Sequence, residues 1–297
     1  VTPGSGTRLR LATRTSPLAR WQAEHVATLL IAAHPGLAVD VVGTDTLGDR
    51  RADVPISEIG GKGVFATEVQ RLVLDGAADL AVHSAKDLPA VTGEGLALAA
   101  VPERGDPRDA LVGRPLDALA AGATVATGSQ RRRVQLAALR PDLRFVELRG
   151  NMATRLGKVP DGGAIVVAVA ALERLGLAGR ISEALEVGTI LPQVGQAALA
   201  VETRAGDTEA AALVAAIEHP TTRRRVDAER AFLAELGGDC DLPAGAYAEI
   251  TAAGTVWVRA LLAGDDDEVQ RAEATGADGV ALGAALARRL RAAVGAA

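Results

Sequence analysis

The chain is poor in the residues that build covalent or metal-held frameworks. Cys240 is the one cysteine among 297 residues, which excludes an intrachain disulfide network and a multi-cysteine zinc site. Its four histidines, His25, His34, His83 and His219, are scattered without ligand spacing, so no metal is inferred. Aromatic residues make up 2% of the chain, which leaves the apolar work to Ala, Val and Leu. Lysine is confined to Lys62, Lys86 and Lys158; arginine carries the remaining positive charge and suits planar forks on carboxylates or phosphates. No apolar run reaches transmembrane length and no signal-peptide pattern opens the sequence, so a cytoplasmic protein without a membrane partner is expected. The formal charge of -5 argues against general affinity for nucleic acid, while an average of this kind still allows a local basic face.

What is present is material for cores. Hydrophobic residues make up 48% of the sequence, which argues against disorder, and the length suggests two or three domains. The stretch Ala81-Val82-His83-Ser84-Ala85-Lys86-Asp87-Leu88-Pro89 organises the rest. Asp79 to Val82 reads as a short buried strand, and Pro89 blocks continuation as helix, so His83, Ser84, Lys86 and Asp87 emerge at the strand's carboxyl end. Ligands bind there in open α/β sheets; a solvated turn is the alternative.

Strands are expected at 9–12, 37–42, 96–101, 111–112, 124–126, 145–148, 164–169 and 197–202, the last returning to the first domain. Ser16-Pro17 opens a helix to about Ala33, with Ser16 as cap. Further helices are expected from about Val64 to Leu74, over 116–120, after Ser129, after Asn151, and over 208–218 and 222–236, with Pro220-Thr221 separating the last two. Residues 246–251 and 256–262 alternate like antiparallel strands, and 280–294 reads as a closing helix. Turn-rich linkers at 102–107 and 191–196 give a first domain of 1–102 with 197–219, a second of 103–196 and a third of 220–297.

Basic residues recur at strand-to-helix junctions. Arg14 precedes Ser16, Arg131, Arg132 and Arg133 follow Ser129, and Arg149, Arg155 and Arg174 fall at later junctions. Such an edge recognises multiple carboxylates or phosphates by bidentate pairing, solvated surface charge being the alternative. Gly60-Gly61-Lys62-Gly63 lets a ligand approach the backbone but lacks Walker-loop spacing.

Several stretches, in this order, resemble the porphobilinogen deaminase (hydroxymethylbilane synthase) family over essentially the whole chain. They are Ala12-Thr13-Arg14-Thr15-Ser16-Pro17-Leu18-Ala19, Gly60-Gly61-Lys62-Gly63, Val82-His83-Ser84-Ala85-Lys86-Asp87, Arg104-Gly105-Asp106-Pro107-Arg108-Asp109-Ala110, Leu148-Arg149-Gly150-Asn151 and Val194-Gly195-Gln196. The resemblance implies two periplasmic-binding-protein-like α/β domains flanking a cleft, plus a small α+β C-terminal domain. It implies a monomeric transferase that condenses four porphobilinogen molecules head to tail on a dipyrromethane cofactor, covalently attached through Cys240, and releases the tetrapyrrole by hydrolysis. It implies Asp87 as catalytic residue and Cys240, Ser84, Lys86, Ser129, Arg131 and Arg132 as cofactor-binding residues. Arg14, Ser16, Lys62, Thr127, Arg149, Arg155, Arg174 and Gln196 are implied on the substrate and growing polypyrrole chain.

The chemistry agrees with that resemblance. Loss of ammonia from an aminomethylpyrrole leaves a cation, and attack by the next pyrrole makes another, so a fixed carboxylate such as Asp87 suits cation stabilisation and proton handling. Each pyrrole bears acetate and propionate groups, for which arginines are apt partners. The chain departs from the family pattern at Glu58, where many relatives have lysine, at Gly128, where serine is usual, and at Asp239 and Asp241, whose acids disfavour a Cys240 thiolate. A noncatalytic binding protein for a small polyanion, on the same architecture, is the rival reading; it has no need of Cys240.

Overall fold

Alternation along the first strand decides how the amino-terminal sheet is layered. Leu9 and Leu11 of β1 (Arg8–Arg14) enter the core beneath α1 (Pro17–Ala33), whereas Ala12 turns to the opposite face with Val69 and Val73 of α2 (Thr67–Leu74). Side chains on successive strand positions point to opposite faces, so a sheet covered on both sides carries apolar residues at both parities. This computed structural model describes residues 7–46, 66–237 and 242–295. Its elements continue with β2 (Ala38–Thr44), β3 (Leu80–Ser84) and β4 (Leu96–Ala100). There follow β5 (Asp109–Gly113), β6 (Thr124–Ala126), α3 (Gln130–Leu139), β7 (Arg144–Val146), α4 (Met152–Leu156), β8 (Ala164–Ala168), α5 (Val169–Arg174) and β9 (Glu183–Leu185). The remainder is β10 (Leu199–Arg204), α6 (Thr208–Val214), α7 (Pro220–Glu235), β11 (Ala244–Ile250), β12 (Val256–Ala263), β13 (Val269–Gly276) and α8 (Gly279–Val294).

Among the described residues these strands form three sheets. The first has the order β2-β1-β3-β10-β4, with β1 parallel to β2 and β3, and β10 antiparallel to β3 and β4. The second repeats the plan as β7-β6-β8-β5-β9, with β6 parallel to β7 and β8, and β5 antiparallel to β8 and β9. The third is the antiparallel β11-β12-β13. Two compact units result, Val1–Arg104 with Ala198–Arg223, and Gly105–Ala197 with Arg224–Ala297. In the first, Leu11, Leu30 and Leu80 are fully buried, each worth roughly 1.5 to 3 kcal/mol relative to exposure. Leu111 and Leu136 on one face of the second sheet, and Ile165 and Leu172 on the other, do the same there.

The elements differ from the sequence expectation where polar patterning misleads. Pro220 was expected to separate two helices; it instead starts α7, where its missing N–H costs nothing. The helix expected over 208–218 ends at Val214 and tightens into a 3-10 turn, Ala215–Ile217. The expected helix over 116–120 is a 3-10 turn, Leu116–Ala118. Unforeseen elements are β9, α5 and β13; β13 is a polar outer strand, of which Ala272 is the one buried residue, as antiparallel sheets permit. Among the described residues no helix is long and apolar enough to cross a membrane.

Candidate active site

In the first unit, β3 delivers its polar residues to the sheet edge and stops. Ala85–Asp87 is a 3-10 turn, closed by the Leu88 N–H donating to the Ala85 carbonyl at 3.4 Å and followed by Pro89. Beside it, Ser16 caps α1 by accepting from the Ala19 N–H at 3.3 Å, with Pro17 at the first helical position. Arg14, Ser16, Gln22, His83, Ser84 and Asp87 therefore line one depression. Arg14 Nη1 lies 4.0 Å from Asp87 Oδ2, and the Asp87 side chain is 34% exposed. A carboxylate so placed keeps its lone pairs while a cation stands nearby.

Two further residues of this depression escaped the sequence reading or its role assignments. Gln22 is buried and donates through Nε2 to Ser84 Oγ at 2.9 Å. His83 Nε2 lies 3.2 Å from Glu202 Oε2, with both side chains buried and no hydrogen bond made by His83 Nε2. Glu202 Oε2 accepts from Gln70 Nε2 at 2.8 Å. A buried Gln carries no periodic signal, which is why Gln22 was missed.

In the second unit the arginines divide into two kinds. Arg131 and Arg132, in the first turn of α3, are buried around Asp109 at the start of β5. Arg131 Nη2 meets Asp109 Oδ2 at 2.8 Å and its Nη1 donates to the Leu191 carbonyl; Arg132 meets Asp109 Oδ1 at 2.7 Å and donates to the Val166 carbonyl at 3.0 Å. Gln196, also buried, donates to Asp109 Oδ1 at 2.9 Å and to the Pro107 carbonyl at 2.8 Å. Burial pushes the Asp109 carboxyl up, but Arg131, Arg132 and Gln196 outweigh it and hold the group well below the usual carboxylate range. Two guanidinium groups on one carboxylate leave a net positive charge inside the protein, and burial lowers the Arg131 pKa accordingly.

The other arginines sit nearer the surface. Arg149 and Arg155 are half-buried around the Leu148-to-Asn151 turn. There Asn151 caps α4, Arg155 Nε donates to the Gly150 carbonyl at 2.7 Å, and Lys158 Nζ donates to the Arg149 carbonyl at 3.2 Å. Gly150 has φ +114, and a Cβ there would stand 2.7 Å from Thr154 Cγ2, so glycine is required. Arg174 closes α5 and donates through Nη2 to the Ala197 carbonyl at 2.5 Å; burial lowers its pKa to about 10. Thr127 and Ser129 line a second depression with Gly128, Arg133 and Glu147. Ser129 precedes α3 as expected but makes no side-chain cap bond; its N–H donates to Thr127 Oγ1 at 3.2 Å. Lys86 lies in the 3-10 turn beside Asp87. Lys62, Glu58, Asp239, Cys240 and Asp241 lie outside the described residues.

A sequence model of the porphobilinogen deaminase dipyrromethane cofactor binding domain matches residues 9–212, and one of the porphobilinogen deaminase C-terminal domain matches residues 223–292. The chain belongs to the porphobilinogen deaminase family. Membership makes it a transferase of tetrapyrrole biosynthesis that acts on porphobilinogen, with dipyrromethane as cofactor and Cys240 as its one cysteine. Its two mixed five-stranded sheets and small C-terminal sheet give the α/β architecture with a small α+β C-terminal part that the resemblance implies. Similar solved structures include the methionine binding protein MetQ, at 13% identity and TM-score 0.44, over 70% of this chain and 88% of that one. YhfZ from Shigella flexneri is similar at 17% identity and TM-score 0.41, over 74% and 87%. The L-cystine solute receptor of Neisseria gonorrhoeae is similar at 14% identity and TM-score 0.39, over 71% and 86%.

The residues fit a carboxylate-bearing cofactor. Arg131 Nε is a buried donor without a hydrogen-bond partner, in a cluster whose charge is positive, and such a donor is costly unless something accepts from it. The strand that follows Cys240 comes to the same place: a Cβ on Gly245 would stand 3.0 Å from Arg131 Cδ.

Proposed function

We propose that this chain is a hydroxymethylbilane synthase. It condenses four porphobilinogen molecules head to tail with loss of ammonia on a dipyrromethane primer carried by Cys240, then releases hydroxymethylbilane by hydrolysis. The observation that carries the reading is Asp87 at the tip of β3, with Arg14 4.0 Å away in one depression. When bound, dipyrromethane supplies the pyrrole end from which the product grows. Asp87 stabilises the cation that forms as ammonia leaves and handles the proton released on condensation. Arg14, with Ser16, holds substrate acetate and propionate groups by charge-assisted bonds. Arg131, Arg132, Ser129, Ser84 and Lys86 hold the cofactor and its carboxylates, and Thr127, Arg149, Arg155, Arg174, Gln196 and Lys62 serve the substrate and the growing polypyrrole. We assign a first domain to 1–102 with 197–219, a second to 103–196 and a third to 220–297, acting as a monomer in the cytoplasm without nucleic-acid or membrane partners.

Intact mass tests this reading. Full-length chain made with a porphobilinogen supply is expected to exceed its peptide mass by two linked pyrrole units, and Cys240→Ala is expected to lose that increment. A wild-type chain carrying only peptide mass would favour the polyanion-binding alternative.

A further inference from the structure

Gln135 is a fully buried amide with every hydrogen-bonding position used. Its Nε2 donates to the Arg131 carbonyl at 3.0 Å and to the Leu191 carbonyl at 3.1 Å. Its Oε1 accepts from the Leu191 N–H at 2.8 Å and from Arg271 Nη2 at 3.1 Å. Two carbonyls on one side and two N–H donors on the other fix which way the amide points. Leu191 is thereby gripped at both its N–H and its carbonyl, and that carbonyl also takes Arg131 Nη1 at 2.5 Å. With Asp109 holding Nη2 at 2.8 Å, two of the three Arg131 nitrogens are committed, and the buried Nε is left without a partner.

The C-terminal sheet reaches this arrangement from two strands. Gly245 of β11 packs so closely that an added Cβ would lie 2.7 Å from the Pro192 carbonyl and 3.0 Å from Arg131 Cδ. Arg271 of β13 ends on Gln135 and comes within 3.5 Å of the Thr189 carbonyl. Arg271 is an exposed residue overall, but partial desolvation and repulsion by Arg259 lower its pKa, and its guanidinium is nevertheless directed at a neutral amide.

We infer that Gln135 and Arg271 are positioning residues: they register the cysteine-bearing C-terminal domain on Arg131 and aim its Nε at a cofactor carboxylate. The inference rests on the proposed function for the identity of that carboxylate. Neither residue touches substrate; each acts through Leu191 and Arg131. Their loss therefore slows cofactor loading more than it lowers stability, because misplacing a positioned group by about 1 Å costs up to a hundredfold.

The test uses full-length apo chain given porphobilinogen, with loading followed by intact mass, thermal unfolding by circular dichroism, and the Arg131 Nε–H resonance by nitrogen-15 NMR. Gln135→Glu keeps both acceptor contacts and loses both donor contacts, and is expected to load on the order of tenfold more slowly. Arg271→Gln, which leaves the buried amide in place, is expected to load more slowly at an unchanged melting temperature and to shift the Arg131 resonance, with Arg271→Lys restoring both. Wild-type loading and an unmoved resonance in folded Arg271→Gln overturn the inference, even if Gln135→Glu does not fold. A wild-type chain that gains no mass sinks the function reading instead, and the Arg131 resonance in the same samples still decides the positioning claim.

Discussion

Arg14 Nη1 stands 4.0 Å from Asp87 Oδ2, beyond hydrogen-bond length and within range of charge compensation. The spacing follows from two chain terminations: β1 ends at Arg14, where the Ser16 cap turns the chain into α1, and β3 ends at Ser84, where a 3-10 turn carries Asp87. Because β1 and β3 are parallel neighbours, both ends fall on the same edge of one sheet. Asp87 is thus partly neutralised without its oxygens being consumed by Arg14, which suits a carboxylate that must meet a transient cation.

Asp87→Asn is expected to fold normally and to lose about a hundredfold or more in turnover. It keeps the size of the side chain and removes its charge, so electrostatics and packing are separated. Since related condensation builds the cofactor, the variant is supplied with preformed bilane before single-turnover assay. Near-wild-type porphobilinogen incorporation by loaded, folded protein removes Asp87 from the chemistry.

Arg149→Leu and Arg155→Leu are expected to stall elongation at intermediate lengths, since charge-assisted pairs of this kind contribute about 1.5 to 3 kcal/mol. They differ in a second respect. Arg155 also braces the turn through the Gly150 carbonyl at 2.7 Å, so its variant should soften residues 148–151 in hydrogen exchange as well. Normal product ladders by mass spectrometry for both variants mark these arginines as surface charges.

Asp109 predicts an acid limit to stability. Arg131, Arg132 and Gln196 outweigh desolvation and hold its folded pKa well below the unfolded value of about 3.9. A depressed carboxyl stabilises the fold fully above the unfolded pKa and progressively less as pH falls through the window beneath it. Urea titrations from pH 6 to pH 2 should show wild type losing stability below about pH 4. Asp109→Asn should be less stable at neutral pH by about 3 to 5 kcal/mol, as for a broken buried ion pair, with a flatter acid limb. Matching curves for the two proteins place the compensation of the arginines elsewhere.

The legible parts of this molecule were those in which chemistry and periodicity changed together. The apolar run into His83-Ser84 before Pro89, and Ser16-Pro17 before a helical period, announced the strand tip and the capped helix that build the first depression. The Asp109 cluster was illegible because it opposes pattern: an Arg-rich helix start reads as solvated, yet Arg131 is 1% exposed, and its acidic partner lies 22 residues earlier, at the start of β5. Gln22 and Gln135 were illegible because buried amides are recognised by their partners alone. β13 escaped because an outer strand with a solvated face lacks a hydrophobic alternation to read.

Gly128 gives the last prediction, as a position where the sequence departs from the pattern that the resemblance implies. The residue lies between Thr127 and Ser129 in the second depression, and a Cβ there would stand 2.7 Å from the Leu148 carbonyl and 2.9 Å from Glu147 Oε1. A carboxylate side chain can swing aside, but a backbone carbonyl can yield only by moving the turn that carries Arg149. Gly128→Ser is therefore expected to cost about 1 to 3 kcal/mol through overpacking and to weaken porphobilinogen binding by displacing the two neighbouring hydroxyls. Adding Glu147→Ala should recover the part of the loss that belongs to the side chain, leaving the carbonyl contact. Chemical denaturation of the single and double variants measures both parts. If Gly128→Ser is as stable as wild type, the crowding at this turn is relieved without cost, and the glycine has no structural reason in this chain.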